Sequence, residues 1–245
     1  MAGHSAWKNI KHRKARQDAL RGRAWTRCAR AIIVAARNGG GDPTFNPSLR
    51  LAIDDAKAEN MPKDTIEKAI RKGTGDLDGV SYEQVRYEGY GPGGVAIIVD
   101  CLTDKSSRTA PELRTIFEKN GGNLAKPGAV AFSFEATGVL LVEAAAGLDE
   151  ERIIEVALEA GADDVEGSEG GWEIRCAPPA LVQVKDGLAR AGVEALSAEV
   201  AMVPMNTVAI DEGAAATVQR LLDALEEHDD VQKIWNNAEL PAEVA

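Results

Sequence analysis

Long apolar runs are missing from this chain. The stretch Val95-Ala96-Ile97-Ile98-Val99 is cut by Asp100, far short of the roughly 20 apolar residues that a membrane helix requires. Cysteine is scarce: Cys28, Cys101 and Cys176 are odd in number and widely spaced. That excludes a paired disulfide framework and a CxxC metal pair, and it fits a reducing compartment. A secretory signal is also missing, because Lys8 to Arg16 place charge where an apolar h-region would lie. The arginine-rich, acid-poor start has the alternative reading of a mitochondrial transit peptide. Against that, Ser5 and Thr26 are the only hydroxyl residues before position 42, and a cytoplasmic location is expected.

Disorder along most of the chain is excluded by a 44% hydrophobic content, enough to bury a core. A length of 245 residues suits two or three small domains.

Charge is unevenly spread. The formal net charge is −11, yet residues 1–72 hold 16 Lys and Arg against 7 Asp and Glu, a net of +9. Residues 73–245 hold 12 against 32, a net of −20. Before position 42 there are ten basic residues and one acid, Asp18. A polyanion responds to the field within a Debye length, about 8–10 Å, rather than to the molecular sum. A basic front can therefore bind phosphate while an acidic body points away. The bland alternative is a solvated charged face.

Periodicity divides the chain into three parts. Residues 1–73 read as a basic arm and a helical bundle. Arg23, Arg27, Arg30 and Arg37 share one side of a helix, beside an apolar stripe of Ala24, Cys28, Ile32 and Ala35. Gly39-Gly40-Gly41 ends that helix, Asn46-Pro47 opens a second, and Pro62 opens a third that Gly73 stops. Beyond a linker at Gly73 to Gly79, two strand-like runs flank Gly89 to Gly94. Thr109 and Glu112 have capping-box spacing, with Pro111 in a first helical turn. From Gly138 to Val203 the order is βαββαβ, the ferredoxin-like arrangement. The expected class is α+β, with two ferredoxin-like α/β domains following the helices. Residues 74–135 with 205–240 would form one split domain and 136–204 a domain inserted in it; two consecutive domains with a carboxy-terminal tail is the alternative.

Catalytic signatures are lacking. No Walker A, HExxH, GxSxG or kinase motif occurs. Gly89-x-Gly91-x-x-Gly94 matches a dinucleotide string, but a strand follows it where phosphate binding needs a helix start. The pairs Asp54-Asp55, Asp163-Asp164 and Asp229-Asp230 are sequence neighbours that point in different directions, and they read as solvated rather than as acid–base dyads. His4, His12 and His228 lack metal-ligand spacing, so no metal, cofactor or catalytic residue is expected. His12, among Lys11, Arg13 and Lys14, reads as a hydrogen-bonding contact or an exposed side chain. Trp7 reads equally as a stacking group beside the basic arm or as an anchor onto the bundle. The cysteines read as core residues.

The opening Met1-Ala2-Gly3-His4-Ser5-Ala6-Trp7-Lys8-Asn9-Ile10-Lys11-His12-Arg13-Lys14 resembles the signature of the YebC/PmpR family. The likeness continues through Gly39-Gly40-x-Asp42-Pro43, Asn60-Met61-Pro62-Lys63, Tyr87 to Gly94, Leu102-Thr103-Asp104, Arg108-Thr109 and Gly121-Gly122-Asn123-Leu124. Ala6 replaces a usual lysine and Lys105 a usual asparagine. The resemblance implies a three-domain cytoplasmic protein whose relatives are described as probable DNA-binding transcriptional regulators. Others, including the mitochondrial translational activator of cytochrome oxidase subunit one, are described as translation factors.

The expected function is therefore a non-enzymatic, nucleic-acid-binding regulator. Lys8, Lys11, His12, Arg13, Lys14 and Arg16 would meet the nucleic acid, and Arg23, Arg27 and Arg30 would extend the track. DNA and ribosomal RNA are the alternative partners, with the ribosome or transcription machinery facing the acidic domains and no membrane involved.

Overall fold

The computed structural model describes residues 21–77, 81–144, 150–168 and 170–239. The described residues form two compact units, 134–203 and the remainder.

In the larger unit, three helices come first: α1 (Arg21–Gly39), α2 (Pro47–Ala58) and α3 (Lys63–Thr74). Both α2 and α3 pack on α1. Ile32, Ile33 and Ala36 of α1 meet Leu49, Ile53 and Ala56 of α2, and Ile66 and Ala69 of α3, in one buried cluster. Each large aliphatic side chain buried there contributes about 1.5–3 kcal/mol. Asn46 caps α2 by accepting a hydrogen bond from Leu49 N–H at 3.0 Å, with Pro47 in the first turn. The expected stop of α3 at Gly73 is displaced: the helix runs to Thr74, and Gly75 at φ +87° supplies the left-handed cap. Gly73 serves packing instead, since a Cβ there would lie 2.5 Å from Ile33 O.

The same unit continues with β1 (Glu83–Tyr90), β2 (Ala96–Thr103), α4 (Ser106–Lys119) and β3 (Asn123–Leu124). After the intervening unit come β8 (Val208–Ala209), α7 (Glu212–Glu226), β9 (Val231–Asn236) and β10 (Ala238–Glu239). One antiparallel sheet runs β3-β1-β2-β9, while β8 and β10 pair in parallel. Ile97, Val99 and Cys101, alternating along β2, share a core with Leu113 and Phe117 of α4 and Val218, Leu221 and Leu225 of α7. The Gly91–Gly94 segment is the β1–β2 connection, with Gly93 at φ +74° and Gly94 at φ +79°. It holds a short 3₁₀ turn and opens no α-helix.

The capping-box expectation is corrected. Helix α4 begins at Ser106, so Thr109 and Pro111 lie inside it. Thr109 is fully buried, and its Oγ1 lies 2.7 Å from Asp230 Oδ2 and 3.3 Å from Lys105 O.

Residues 134–203 form β4 (Phe134–Glu143), α5 (Glu150–Ala160), β5 (Asp164–Ser168), β6 (Gly171–Cys176), α6 (Leu181–Arg190) and β7 (Ser197–Pro204, whose last residue falls in the larger unit). The sheet order β5-β6-β4-β7 is that of a ferredoxin-like βαββαβ unit. Its helices approach closely, since a Cβ at Gly187 would lie 2.4 Å from Ala160 Cβ. No helix among the described residues is long and apolar enough to cross a membrane.

Candidate nucleic-acid interface

Trp7, Lys8, Lys11, His12, Arg13, Lys14 and Arg16 lie outside the described residues. The described part of the expected track is the arginine face of α1, whose Arg23, Arg27 and Arg30 reach protein acceptors. Arg23 Nη1 donates to Glu227 O at 3.3 Å, and Arg27 donates to Glu226 O. Both carbonyls belong to the C-terminal end of α7, where unpaired carbonyls and the negative end of the helix dipole attract cations. Arg30 is the most committed of the three. Its Nη1 donates to Asp230 Oδ1 at 2.8 Å, Asp229 O at 2.7 Å and Leu102 O at 3.2 Å, and its guanidinium lies 5.1 Å from the Tyr82 ring centre. These contacts give all three guanidinium groups protein acceptors, while Arg23 stays exposed.

The centre of this contact is Asp230, a residue the sequence reading placed in solvent. Its side chain is 2% exposed. Oδ2 accepts from Thr109 Oγ1 at 2.7 Å and from Arg108 Nη2 at 3.2 Å. Burial pushes its carboxyl up, but hydrogen bonds from Thr109, Arg108, Thr103 and Arg30 outweigh that and hold it below the usual carboxylate range. The Leu102-Thr103-Asp104 and Arg108-Thr109 motifs therefore meet at one buried acid: Arg108 also bridges Asp104 at 2.9 Å, and Thr109 Oγ1 sits 2.8 Å from Thr103 Oγ1. Adjacency had made Asp229-Asp230 look uninformative, whereas Arg30, Arg108 and Thr109, all distant in sequence, give the second acid its role.

A cleft of about 560 Å³ opens beside this centre, with Arg23, Arg108, Glu112 and His228 in its wall. Its charges are mixed, and His228 Nε2 lies 3.0 Å from Glu112 Oε2. No cluster of His, Cys, Asp or Glu among the described residues is placed to hold a metal.

The motif Tyr87 to Gly94 has a structural explanation. Glu88, 5% exposed, accepts from the backbone N–H groups of Gly128, Val130 and Ala131 at 2.7–2.8 Å. Tyr90 OH donates to Ala129 O at 2.9 Å. At Gly89 a Cβ would lie 2.6 Å from the Phe117 ring. Burial raises the Cys28 and Cys101 thiols to about 12 and the Cys176 thiol to about 11, which disfavours the reactive thiolate.

Comparison with known proteins assigns both halves of the chain. Residues 5–76 match the TACO1/YebC protein N-terminal domain, and residues 82–238 match the TACO1/YebC second and third domain. A "Probable transcriptional regulatory protein" of Persephonella marina is 55% identical over 242 residues, covering 98% of this chain and 96% of that one. A protein of the same description from Aromatoleum aromaticum is 54% identical, covering 97% and 98%. A crystal structure of a conserved hypothetical protein from Aquifex aeolicus superposes with a TM-score of 0.84 at 46% identity, covering 93% of each chain. The buried acid, the glycine-rich hairpin and the helical bundle are thus features of a member of the TACO1/YebC family, to which this chain belongs.

Proposed function

We propose that this chain is a cytoplasmic, non-enzymatic regulator of gene expression that binds nucleic acid through its amino-terminal segment. The observation that carries the reading is the division of charge, +9 over residues 1–72 against −20 over the rest. Lys8, Lys11, Arg13, Lys14 and Arg16 contact phosphates, His12 hydrogen-bonds, and Trp7 stacks on a base or ribose. Arg23, Arg27 and Arg30 fix the helices to the split sheet and leave the arm as the gripping element. The printed names of the relatives, probable transcriptional regulatory proteins, support DNA as the target.

A second reading, a translation factor gripping ribosomal or transfer RNA with the same arm, is favoured by one structural observation. Although a four-residue turn joins α2 to α3, both helices pack chiefly on α1. Direct contact between α2 and α3, of the kind that seats a recognition helix in a major groove, is minor, whereas structured RNA is gripped by shape and phosphate. Crosslinking in cells, followed by sequencing of recovered DNA and RNA, tests the two together. Enrichment of promoter DNA upholds the first reading, and enrichment of ribosomal or transfer RNA with ribosome co-sedimentation upholds the second. Recovery of neither would end the proposal.

A further inference from the structure

The loop between α1 and α2 carries a side chain that the fold does not use. Phe45 is 83% exposed, yet the backbone on both sides of it is fixed. Asp42 Oδ1 accepts from Thr44 N–H at 2.9 Å, closing a tight turn. Asn46 is 4% exposed, and its Nδ2 donates to Ala35 O and Gly40 O, each at 2.8 Å. Gly39 makes room for that amide, because a Cβ there would lie 2.6 Å from Asn46 Nδ2. Pro43 and Pro47 restrict φ on either side. A rigid support for a solvent-facing aromatic ring gains nothing from burial and is suited to contact with something outside the chain.

The surroundings of the ring specify what that is. The loop packs beside the end of α3, as Gly41 shows: a Cβ there would lie 2.8 Å from Thr74 Cγ2. Arg37 in the last turn of α1, and Arg71 and Lys72 in the last turn of α3, are exposed at this end of the bundle. Arg37 donates to Ser81 Oγ at 2.6 Å, a neutral partner. Among the described acids at this end, Asp42 accepts the turn N–H and Asp76 accepts from Thr74 Oγ1 at 2.8 Å, and both carboxylates keep their charge. Cations in a last helical turn also complement the helix dipole, but that accounts for the charges and not for the exposed aromatic ring.

We infer that Phe45 is a stacking platform for an unpaired nucleobase, and that Arg37, Arg71 and Lys72 at the same end of the bundle hold neighbouring phosphates. The inference rests on the nucleic-acid reading proposed above and adds a preference for single-stranded or looped segments. A duplex keeps its base faces against one another, whereas an unpaired base offers a free face to an aromatic side chain. Helix α1 has 19 residues, about 28 Å at 1.5 Å per residue. Phe45 thus engages the polymer about one helix length from Arg21, where the amino-terminal segment joins.

The full chain and the variants Phe45→Ala and Phe45→Trp are titrated against labelled single-stranded RNA and DNA oligonucleotides and their duplexes over a range of salt. Base stacking predicts that Phe45→Ala weakens single-strand binding by about 5- to 150-fold and leaves duplex affinity, salt slope and thermal midpoint unchanged. Phe45→Trp retains wild-type affinity. Single-strand affinity unchanged in Phe45→Ala overturns the inference alone. An equal loss on single strand and duplex also overturns it. A wild-type chain that binds no oligonucleotide removes the underlying reading and this inference with it.

Discussion

Arg30 Nη1 stands 2.8 Å from Asp230 Oδ1 although 200 residues separate them in the chain. The pair joins α1 to the turn between α7 and β9. The aspartate is 2% exposed and the arginine side chain 14%, so neither charge has free access to water. Removing one partner leaves the other buried and uncompensated. Asp230→Ala is expected to cost about 3–5 kcal/mol in urea unfolding. Arg30→Ala should cost less, about 1.5–3 kcal/mol, because Arg108 and Thr109 still serve the carboxylate. The double variant should cost less than the sum of the two. An unfolding midpoint unchanged in Asp230→Ala would refute this account.

Binding and stability should separate along the basic segment. Alanine at Lys11, Arg13 and Lys14 is expected to lower the slope of log affinity against log salt on duplex DNA by about 2–3, at about 0.9 per lost phosphate contact. The melting temperature should stay in place. Arg27→Ala should do the reverse, lowering the melting temperature and leaving the slope alone. A reduced slope in Arg27→Ala would show that the face on α7 also meets nucleic acid.

Acid should loosen the loop that Glu88 holds. Burial pushes this carboxyl up, but the N–H groups of Val130, Gly128 and Ala131, with Arg86 nearby, bring it below its ordinary value. A folded value below the unfolded one means that the stabilisation is fully present above the ordinary carboxylate range. It is lost as pH falls through the folded value. Glu88→Gln should therefore flatten the stability profile below about pH 4. Glu173 has the opposite sign: burial raises it above its ordinary value despite Arg175. The wild type should then gain stability relative to Glu173→Gln as pH falls from neutral. Parallel profiles for wild type and either variant would count against that assignment.

Thiol labelling tests burial directly. At pH 8 the native chain should react negligibly with a thiol-alkylating reagent, because the thiolate is the reactive form and Cys28 and Cys101 are raised to about 12. All three cysteines should label in denaturant. Rapid native labelling at Cys101 would place that strand outside the core.

Features set by near neighbours in the chain were legible from sequence, and features set by distant ones were not. Asn46 and Pro47 announce the start of α2 because a cap is a local arrangement. The βαββαβ order of residues 134–203 follows from alternating periodicity. Gly73 misled because its small size answers to Ile33 O, a contact forty residues away in sequence. Thr109 misled similarly: its spacing to Glu112 imitates a cap, while its hydroxyl belongs to Asp230. Nothing in a run of arginines at helical spacing distinguishes a face turned to phosphate from one turned to the carbonyl end of a later helix.

The central strand β2 lies between β1, its hairpin partner, and β9. During synthesis β2 emerges early and must wait through the whole of residues 134–203 before its second neighbour leaves the ribosome. Until then its outer edge stays open for pairing with another chain. Arg30 waits equally long for Asp230. A nascent chain halted within residues 134–203 therefore carries an unpaired β2 edge and an Arg30 without Asp230, although α2 and α3 are already present to pack on α1.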